Sequence, residues 1–472
     1  MLVAAARAAS SKCLLAHPAR AAPGLRRCIS AASSPAKLDP APTSIYIHWP
    51  YCEAKCTYCS FNKYHIPVNG QDHDRMLKCI EIDLAHALRT DPSQLYSHLG
   101  EAVGQVRQES RSLPWDEQGS KPEAAAEDLP SRSKPHIRSI YFGGGTPSLM
   151  LPSTVESICE MISQSCSVDP HVEISLEANP TSMSLDKLSA FKQAGVNRLS
   201  LGLQSLNDQD LAFFGRDHSA ADGLRSAEMA MRIFDNVSLD MIWGRPGQTV
   251  DEWRKELQII ASMNSAHMSL YQLQVERGTP LHKWVAQKQV AEYDSDVLAD
   301  FYEATRETAA QCGFQQYEVS SFYNTRFAPP RKSRHNTAYW EGHEYIGVGP
   351  GAHGRRHSWK SPERYRTFCV QSPNAWMKQC ESHGHGVRRI TRISEEDAMK
   401  EIVVFGLRTY EGVSCDTFER FSKGVPLHQF LDGEALDHFI ELGLIMWSQD
   451  GRKLRPTARG LAVIDHIVAD MI

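Results

Sequence analysis

Residues 45–62 read IYIHWPYCEAKCTYCSFN, an apolar β-rich run that breaks into three cysteines, Cys52, Cys56 and Cys59. The spacing Cys-x3-Cys-x2-Cys supplies three thiolates on one tight loop and no obvious fourth. Thiolates so closely spaced suit iron–sulfur clusters or zinc. A structural zinc wants four protein ligands, so a zinc knuckle would have to recruit His48 or His65. Three ligands on a cubane cluster leave one iron open, and an open iron can hold a small molecule. Three unrelated thiols are the remaining reading.

Working outward from this loop, short β-rich runs recur at 44–48, 139–142, 172–176, 198–203, 237–242 and 268–273. Helical patterns lie between them. Ser184 can cap a helix whose Leu185, Leu188 and Phe191 share a face and which ends before Gly195. Thr249 and Glu252 form a capping box ahead of Trp253, Leu257 and Ile260. The alternation predicts an α/β fold with βαβ units and a parallel sheet, six units making a partial (βα)6 barrel.

On this reading the chemistry-bearing residues share a location. The cysteines follow the first strand, and Gly143, Gly144, Gly145 and Thr146 follow the second. Glu177 ends the third, Gln204 ends the fourth and Asp240 lies on the fifth. Ligand chemistry in α/β barrels concentrates at the carboxyl ends of strands. Each residue alone has a bland reading: GGGTP as a tight turn, Glu177 and Asp240 as caps or solvated charges, Arg216 as a surface ion pair and Tyr46 as a core aromatic.

The stretches SIYIHWPYC, YFGGGTPSLM, ISLEANP, AGVNRLSLGLQS, FFGRDH and SLDMIWGRPGQT, together with Tyr58 and Phe61 beside the cysteines, resemble the radical S-adenosylmethionine (SAM) superfamily. Within it they are similar to the HemN/HemW branch, across roughly residues 44–280. The resemblance implies a [4Fe–4S] cluster on Cys52, Cys56 and Cys59. It also implies SAM contacts from Tyr46, Gly144, Gly145, Thr146, Glu177, Gln204, Arg216 and Asp240. Glycines admit close backbone approach to the methionyl group, the carboxylates can accept from its ammonium or the ribose hydroxyls, and Arg216 can pair with its carboxylate. The stretch WGRP departs from the YGLP or HGLP of the branch without touching Asp240.

The chain has 472 residues and a hydrophobic share of 42%, ordinary for two or three globular domains. No stretch approaches the ~18 uninterrupted apolar residues of a membrane span. Residues 1–34 carry Arg7, Lys12, Arg20, Arg26 and Arg27 among alanines and serines, with no acidic residue, and read as a mitochondrial presequence. A disordered basic tail is the plainer alternative. Its removal carries the net charge from -5 to -10, because five basic residues leave and no acidic ones do. So acidic a protein is a poor candidate for nucleic-acid binding. Residues 104–135 are polar, rich in Pro, Ser and charge, and read as a disordered insertion into the barrel unit of 40–280.

Residues 281–389 read as a barrel extension, and 390–472 as a mainly helical, winged-helix-like domain of the HemN C-terminal type. There, 393–407 and 436–442 look helical and a hairpin turns at Asp450-Gly451, before a last helix to Ile472. Few basic residues line these helices, which favours a structural or interaction role over DNA binding.

The oxygen-independent coproporphyrinogen III oxidases of the branch carry a fourth cysteine two residues past the third; here Phe61 stands there. They also carry a longer region before the cluster loop. Both absences point to the HemW type, whose members are heme chaperones. The oxidase activity is kept as the enzymatic alternative and a zinc-stabilised interaction protein as the third class. Downstream, His335-Asn336-x-x-Tyr339-Trp340 resembles the HNxxYW motif associated with heme, with His335 as candidate axial ligand. A buried histidine satisfied by its neighbours is the bland reading. His343 and His353 are weaker candidates, and Pro350 replaces a cysteine frequent in the family. The expected partners are heme and recipient hemoproteins of the respiratory chain in the mitochondrial matrix. Peripheral membrane attachment and a homodimer are compatible with the same reading.

Overall fold

The computed structural model describes residues 43–105 and 134–472. The presequence read at 1–34 and most of the insertion read at 104–135 lie outside the described residues. One mixed sheet organises the chain. Its central strands are β1 (Thr43–Trp49), β2 (His136–Gly144), β3 (Ser167–Ala178), β4 (Arg198–Gln204), β5 (Val237–Trp243) and β6 (His267–Gln272). They pair in chain order and all run parallel. Each expected strand forms, the first five extended by a residue or more at one or both ends and the sixth shifted by one residue, starting at His267 and ending at Gln272.

What the sequence pattern left unread is how this sheet continues. Beyond β6 come β7 (Phe314–Gln316) and β8 (Ser321–Asn324), with β8 antiparallel to both β6 and β7. On the other edge β9 (Tyr345–Val348) pairs parallel to β1. It is followed by antiparallel β10 (His353–His357), β11 (Arg364–Cys369) and β12 (Val387–Ile393). The whole order is β12-β11-β10-β9-β1-β2-β3-β4-β5-β6-β8-β7.

The two faces of β1 show how the strands are used. Ile45, Ile47 and Trp49 are fully buried in the apolar layer between sheet and helices. Tyr46 and His48 alternate to the inner face, where Tyr46 stacks on Tyr141 of β2. The outer layer includes α1 (His73–Arg89), α2 (Pro152–Ser165), α3 (Leu185–Gln193), α4 (Ala220–Ile233), α5 (Val250–Ser262) and α6 (Ser295–Gln311). Ser184 caps α3 through the Lys187 amide at 3.2 Å. The Thr249–Glu252 capping box closes the start of α5, each such cap contributing about 1 kcal/mol.

A short helix, α7 (Arg334–Trp340), carries the HNxxYW stretch, and α8 (Pro373–His383) packs on α1 beside β9–β12. The C-terminal module begins with α9 (Glu395–Gly406), then strand β13 (Val413–Ser414), α10 (Cys415–Phe421) and α11 (Gly433–Glu441). Strands β14 (Ile445–Trp447) and β15 (Lys453–Pro456) follow, and α12 (Ile464–Met471) ends it. The small sheet runs β13-β15-β14, a winged-helix order, around its own apolar cluster. Helix α11 contains Glu434, Asp437 and Glu441 and no Lys or Arg, a poor surface for phosphate backbone. Backbone bonds from Val319 to Arg408 and from Tyr410 to Tyr317 tie the module to the sheet. No helix among the described residues is long and apolar enough to cross a membrane.

Candidate cofactor site at the strand carboxyl ends

The loop after β1 is clamped from several sides. The Gly145 amide donates to the Trp49 carbonyl at 2.7 Å and the Thr146 amide to the Tyr51 carbonyl at 2.8 Å. Thr57 donates through its amide to Phe214 O and through its hydroxyl to Phe213 O, and accepts from the Leu281 amide. Tyr58 sets its ring edge-on to Phe214 at 4.7 Å. Lys63 Nζ donates to the Cys56 carbonyl at 3.1 Å. Residues from three parts of the chain thus hold Cys52, Cys56 and Cys59 on one side of a single cavity.

That cavity has a volume of about 1540 Å³ and is lined by the three cysteines, Gly144, Gly145, Thr146, Glu177, Gln204, Arg216 and Asp240. All ten were expected at a common site. Tyr46 and His335 are not on the wall. Tyr46 lies behind the glycine run, donating its hydroxyl to His48 Nδ1 at 3.0 Å, and a Cβ at Gly143 would come within 2.9 Å of its ring.

The glycines serve the protein's own packing as much as any ligand. Gly144 has φ +116°, and a Cβ there would meet the His48 ring at 2.5 Å. A Cβ on Gly145 would meet the Tyr51 carbonyl oxygen at 2.7 Å.

Glu177 is the hub of the wall. Its Oε1 accepts the Tyr141 hydroxyl at 2.8 Å and its Oε2 accepts the Gly144 amide at 3.0 Å. Burial raises its pKa from 4.5 to about 7, against the pull of these two donors. Asp240 accepts from the Ser200 hydroxyl at 2.7 Å and the Ser238 hydroxyl at 2.8 Å. Burial raises it too, against those same hydroxyls. Arg216 donates to the Gly202 carbonyl at 2.8 Å, to Asn179 Oδ1, and to the Cys56 sulfur at 3.5 Å. Gln204 stands at φ +70°, where β4 shifts register against β5 between Gly202 and Gln204.

Among the described residues, no three His, Cys, Asp or Glu side chains stand around one point as for a single metal ion. A cubane cluster makes a different demand, one thiolate on each of three separate irons, and Cys52, Cys56 and Cys59 all line the one cavity. Burial pushes the Cys52 thiol above its ordinary value, against the Thr146 hydroxyl and the Lys63 ammonium. The zinc-knuckle reading finds no support at His48. Both its nitrogens are engaged, Nδ1 by Tyr46 and Nε2 at 2.8 Å from the Asn62 carbonyl.

His335 departs from the expectation of an iron ligand. It is 1% exposed, with Nδ1 at 3.1 Å from the Ser139 hydroxyl and Nε2 at 2.6 Å from the Tyr339 hydroxyl. Burial holds its pKa down at about 3, with Arg198 and Arg138 adding to the effect. In this conformation neither nitrogen is free for iron. His343 stands beside Arg138 and Glu341, and His353 lies exposed against Phe368.

Sequence reasoning missed Tyr141, Asn179 and Lys63. Tyr141 had a signal: two residues before Gly143 in YFGGGTP, it alternates to the same inner face. Asn179 and Lys63 act through loops that carry no periodicity.

Residues 46–260 match the radical SAM superfamily and residues 393–463 match the HemN C-terminal domain. The chain is 37% identical to the mitochondrial radical S-adenosyl methionine domain-containing protein 1 of Bos taurus, over 92% of this chain and 89% of that protein. It is 29% identical to the heme chaperone HemW of Bacillus subtilis (strain 168), over 85% of this chain and 92% of that protein. In fold it is similar to the coproporphyrinogen III oxidase HemN of Escherichia coli, with a TM-score of 0.67 at 18% identity over 91% of this chain and 90% of that one. The chain belongs to the radical SAM superfamily, in its HemN/HemW branch.

Proposed function

We propose that this protein carries a [4Fe–4S] cluster on Cys52, Cys56 and Cys59, binds SAM beside it, and serves as a heme chaperone delivering heme to mitochondrial respiratory hemoproteins. The observation that carries the reading is the convergence of three thiols, two half-buried carboxyls and one guanidinium on a single cavity. When bound, such a cluster supplies an open iron and a transferable electron. The chain's own residues bind and orient SAM. Arg216 meets its carboxylate, Glu177 and Asp240 accept from its ammonium and ribose hydroxyls, and Gly144, Gly145, Thr146 and Gln204 complete the wall, with Tyr46 supporting the glycine run from behind.

The chaperone role is supported by the relatives named heme chaperone and by Phe61, 42% exposed where the oxidases have a fourth cysteine. The mitochondrial matrix is supported by relatives named mitochondrial and by the acid-free, arginine-bearing front end. His335, with both ring nitrogens hydrogen-bonded, is given no ligand role here. Heme needs an apolar slot with cations for its propionates, and the cavity lining supplies both kinds of side chain, with Arg408 there paired to Asp465. Trp243, Phe405, Ile464 and Val468 line the cavity together with Arg306 and Arg408. The cavity exceeds the ~300–1,000 Å³ of ordinary ligand pockets, leaving room beyond one SAM.

Anaerobic purification followed by iron, sulfide, zinc and heme analysis tests the reading. Near-stoichiometric cubane and bound heme are expected, with the cubane lost in Cys56→Ser and retained in Cys312→Ser. Zinc without sulfide would remove the cluster. Turnover of coproporphyrinogen to protoporphyrinogen with SAM and a reductant would replace the chaperone with the oxidase.

A further inference from the structure

The HNxxYW helix α7 lies under the inner face of the sheet, at the amino-terminal side of the site. Its start is fixed to β3: the Arg334 amide donates to Glu173 at 3.0 and 3.1 Å, and the His335 amide donates to Glu173 Oε1 at 3.3 Å. The His335 ring stacks on Tyr141 of β2 at 4.7 Å and 23°. It also lies 6.2 Å and 30° from Tyr46 of β1. Tyr339 packs edge-on to the imidazole at 4.7 Å and to Tyr345 of β9 at 4.4 Å.

The hydrogen bonds fix the tautomer. Ser139 spends its hydroxyl proton on Ser44 Oγ at 2.8 Å, so His335 Nδ1–H is the donor to Ser139. Nε2 then accepts the Tyr339 hydroxyl. This assignment follows from the donor and acceptor inventory of the three groups. Every polar atom of the imidazole is satisfied, and its flat face supports the ring whose hydroxyl holds Glu177.

We infer that His335 is a positioning residue for the SAM site: its imidazole fixes the Tyr141 ring, Tyr141 aims Glu177, and Glu177 holds the Gly144 amide. The inference rests on the proposed SAM site and assigns the HNxxYW helix to it instead of to heme iron. A stacked aromatic pair holds its rings together beyond the effect of burial alone. Loss of this support therefore loosens the carboxyl without dismantling the barrel.

The test uses the full chain with its cluster reconstituted anaerobically, titrated with SAM by calorimetry and with heme by absorbance. Tyr141→Phe is expected to weaken SAM binding about tenfold, which equals 1.4 kcal/mol. His335→Ala is expected to do the same, with heme affinity within about twofold of wild type in both. The double variant should bind SAM no more weakly than the weaker single, because the two act in series; independent damage to packing would add. Tyr339→Phe frees Nε2 while keeping the ring, and it covers the case in which His335→Ala fails to fold. It should bind SAM within about threefold of wild type and gain no heme affinity. Loss of heme binding in His335→Ala with SAM affinity intact overturns the inference. Full cubane with no SAM binding in the wild type overturns the SAM reading as well, and the two failures are distinguished by the wild-type titration.

Discussion

Arg216 reaches across the cavity to Cys56, with Nη1 at 3.5 Å from the sulfur. Its other terminal nitrogen is held by Gly202 O and Asn179. The guanidinium therefore links the cysteine loop to the ends of β3 and β4. Lysine has one donor head and cannot serve both directions. Arg216→Lys is expected to weaken SAM binding about ten- to hundredfold, the range for losing hydrogen bonds to a charged group. Calorimetry on cluster-loaded protein checks this, with iron content reported alongside.

Glu177 gives a pH dependence whose sign follows from its elevated pKa. The folded value of about 7 lies above the ordinary 4.5, so folding favours the protonated form. Its contribution is fully present below 4.5 and is lost as pH rises through about 7. Glu177→Gln should then raise the stability of the ligand-free protein at pH 8 by about 1–2 kcal/mol, discounted for water in the cavity, with the gain vanishing near pH 5. Melting curves across that range decide the point. SAM binding should run the opposite way in wild type, strengthening from pH 6 to 8 as the carboxylate ionises to meet the ammonium.

The glycine run is the least tolerant stretch of the wall. Gly145→Ala drives a Cβ to 2.8 Å from the Pro50 carbonyl carbon and 2.7 Å from the Tyr51 oxygen. Backbone cannot rotate away as a side chain can, so a destabilisation of about 1–3 kcal/mol is expected. A Tm lowered by several degrees, together with poor retention of iron, is the readout. Gly247→Ala is a control in open space at φ +80°, where only the backbone cost of positive φ applies.

If heme seats against Arg306 and Arg408 on the cavity wall, Arg306→Ala combined with Arg408→Ala should weaken heme binding about tenfold or more by removing the cations proposed to meet its propionates. SAM affinity should stay unchanged. Soret titration against SAM calorimetry separates the two ends of the cavity, and equal loss at both would argue against separate seats.

The parallel core was legible because Ile45, Ile47 and Trp49 alternate with Tyr46 and His48, and because Gly145 and Thr146 follow a strand directly. Nine of the ten expected residues on the cavity wall are there for the same reason: strand ends are local facts, and parallel order brings local facts together, while Arg216 reaches it from the turn after Phe214. The surroundings of His335 were not legible, because a motif in a helix says nothing about which face of the sheet that helix lies against. Its partners Ser139 and Tyr141 are almost two hundred positions earlier. Among the edge strands, β7 to β9 escaped because they are only three or four residues long, and β10 and β12 because the arginine pairs Arg355-Arg356 and Arg388-Arg389 break the period of two.

One earlier feature limits how this protein can drift. Gln204 holds a left-handed backbone that branched and bulky side chains avoid, and Asn, Asp or Gly tolerate. Divergent copies therefore have a narrow alphabet at that position. A lineage that abandons the ligand is expected to show it there first, by restoring an ordinary extended residue and straightening the bend after Gly202.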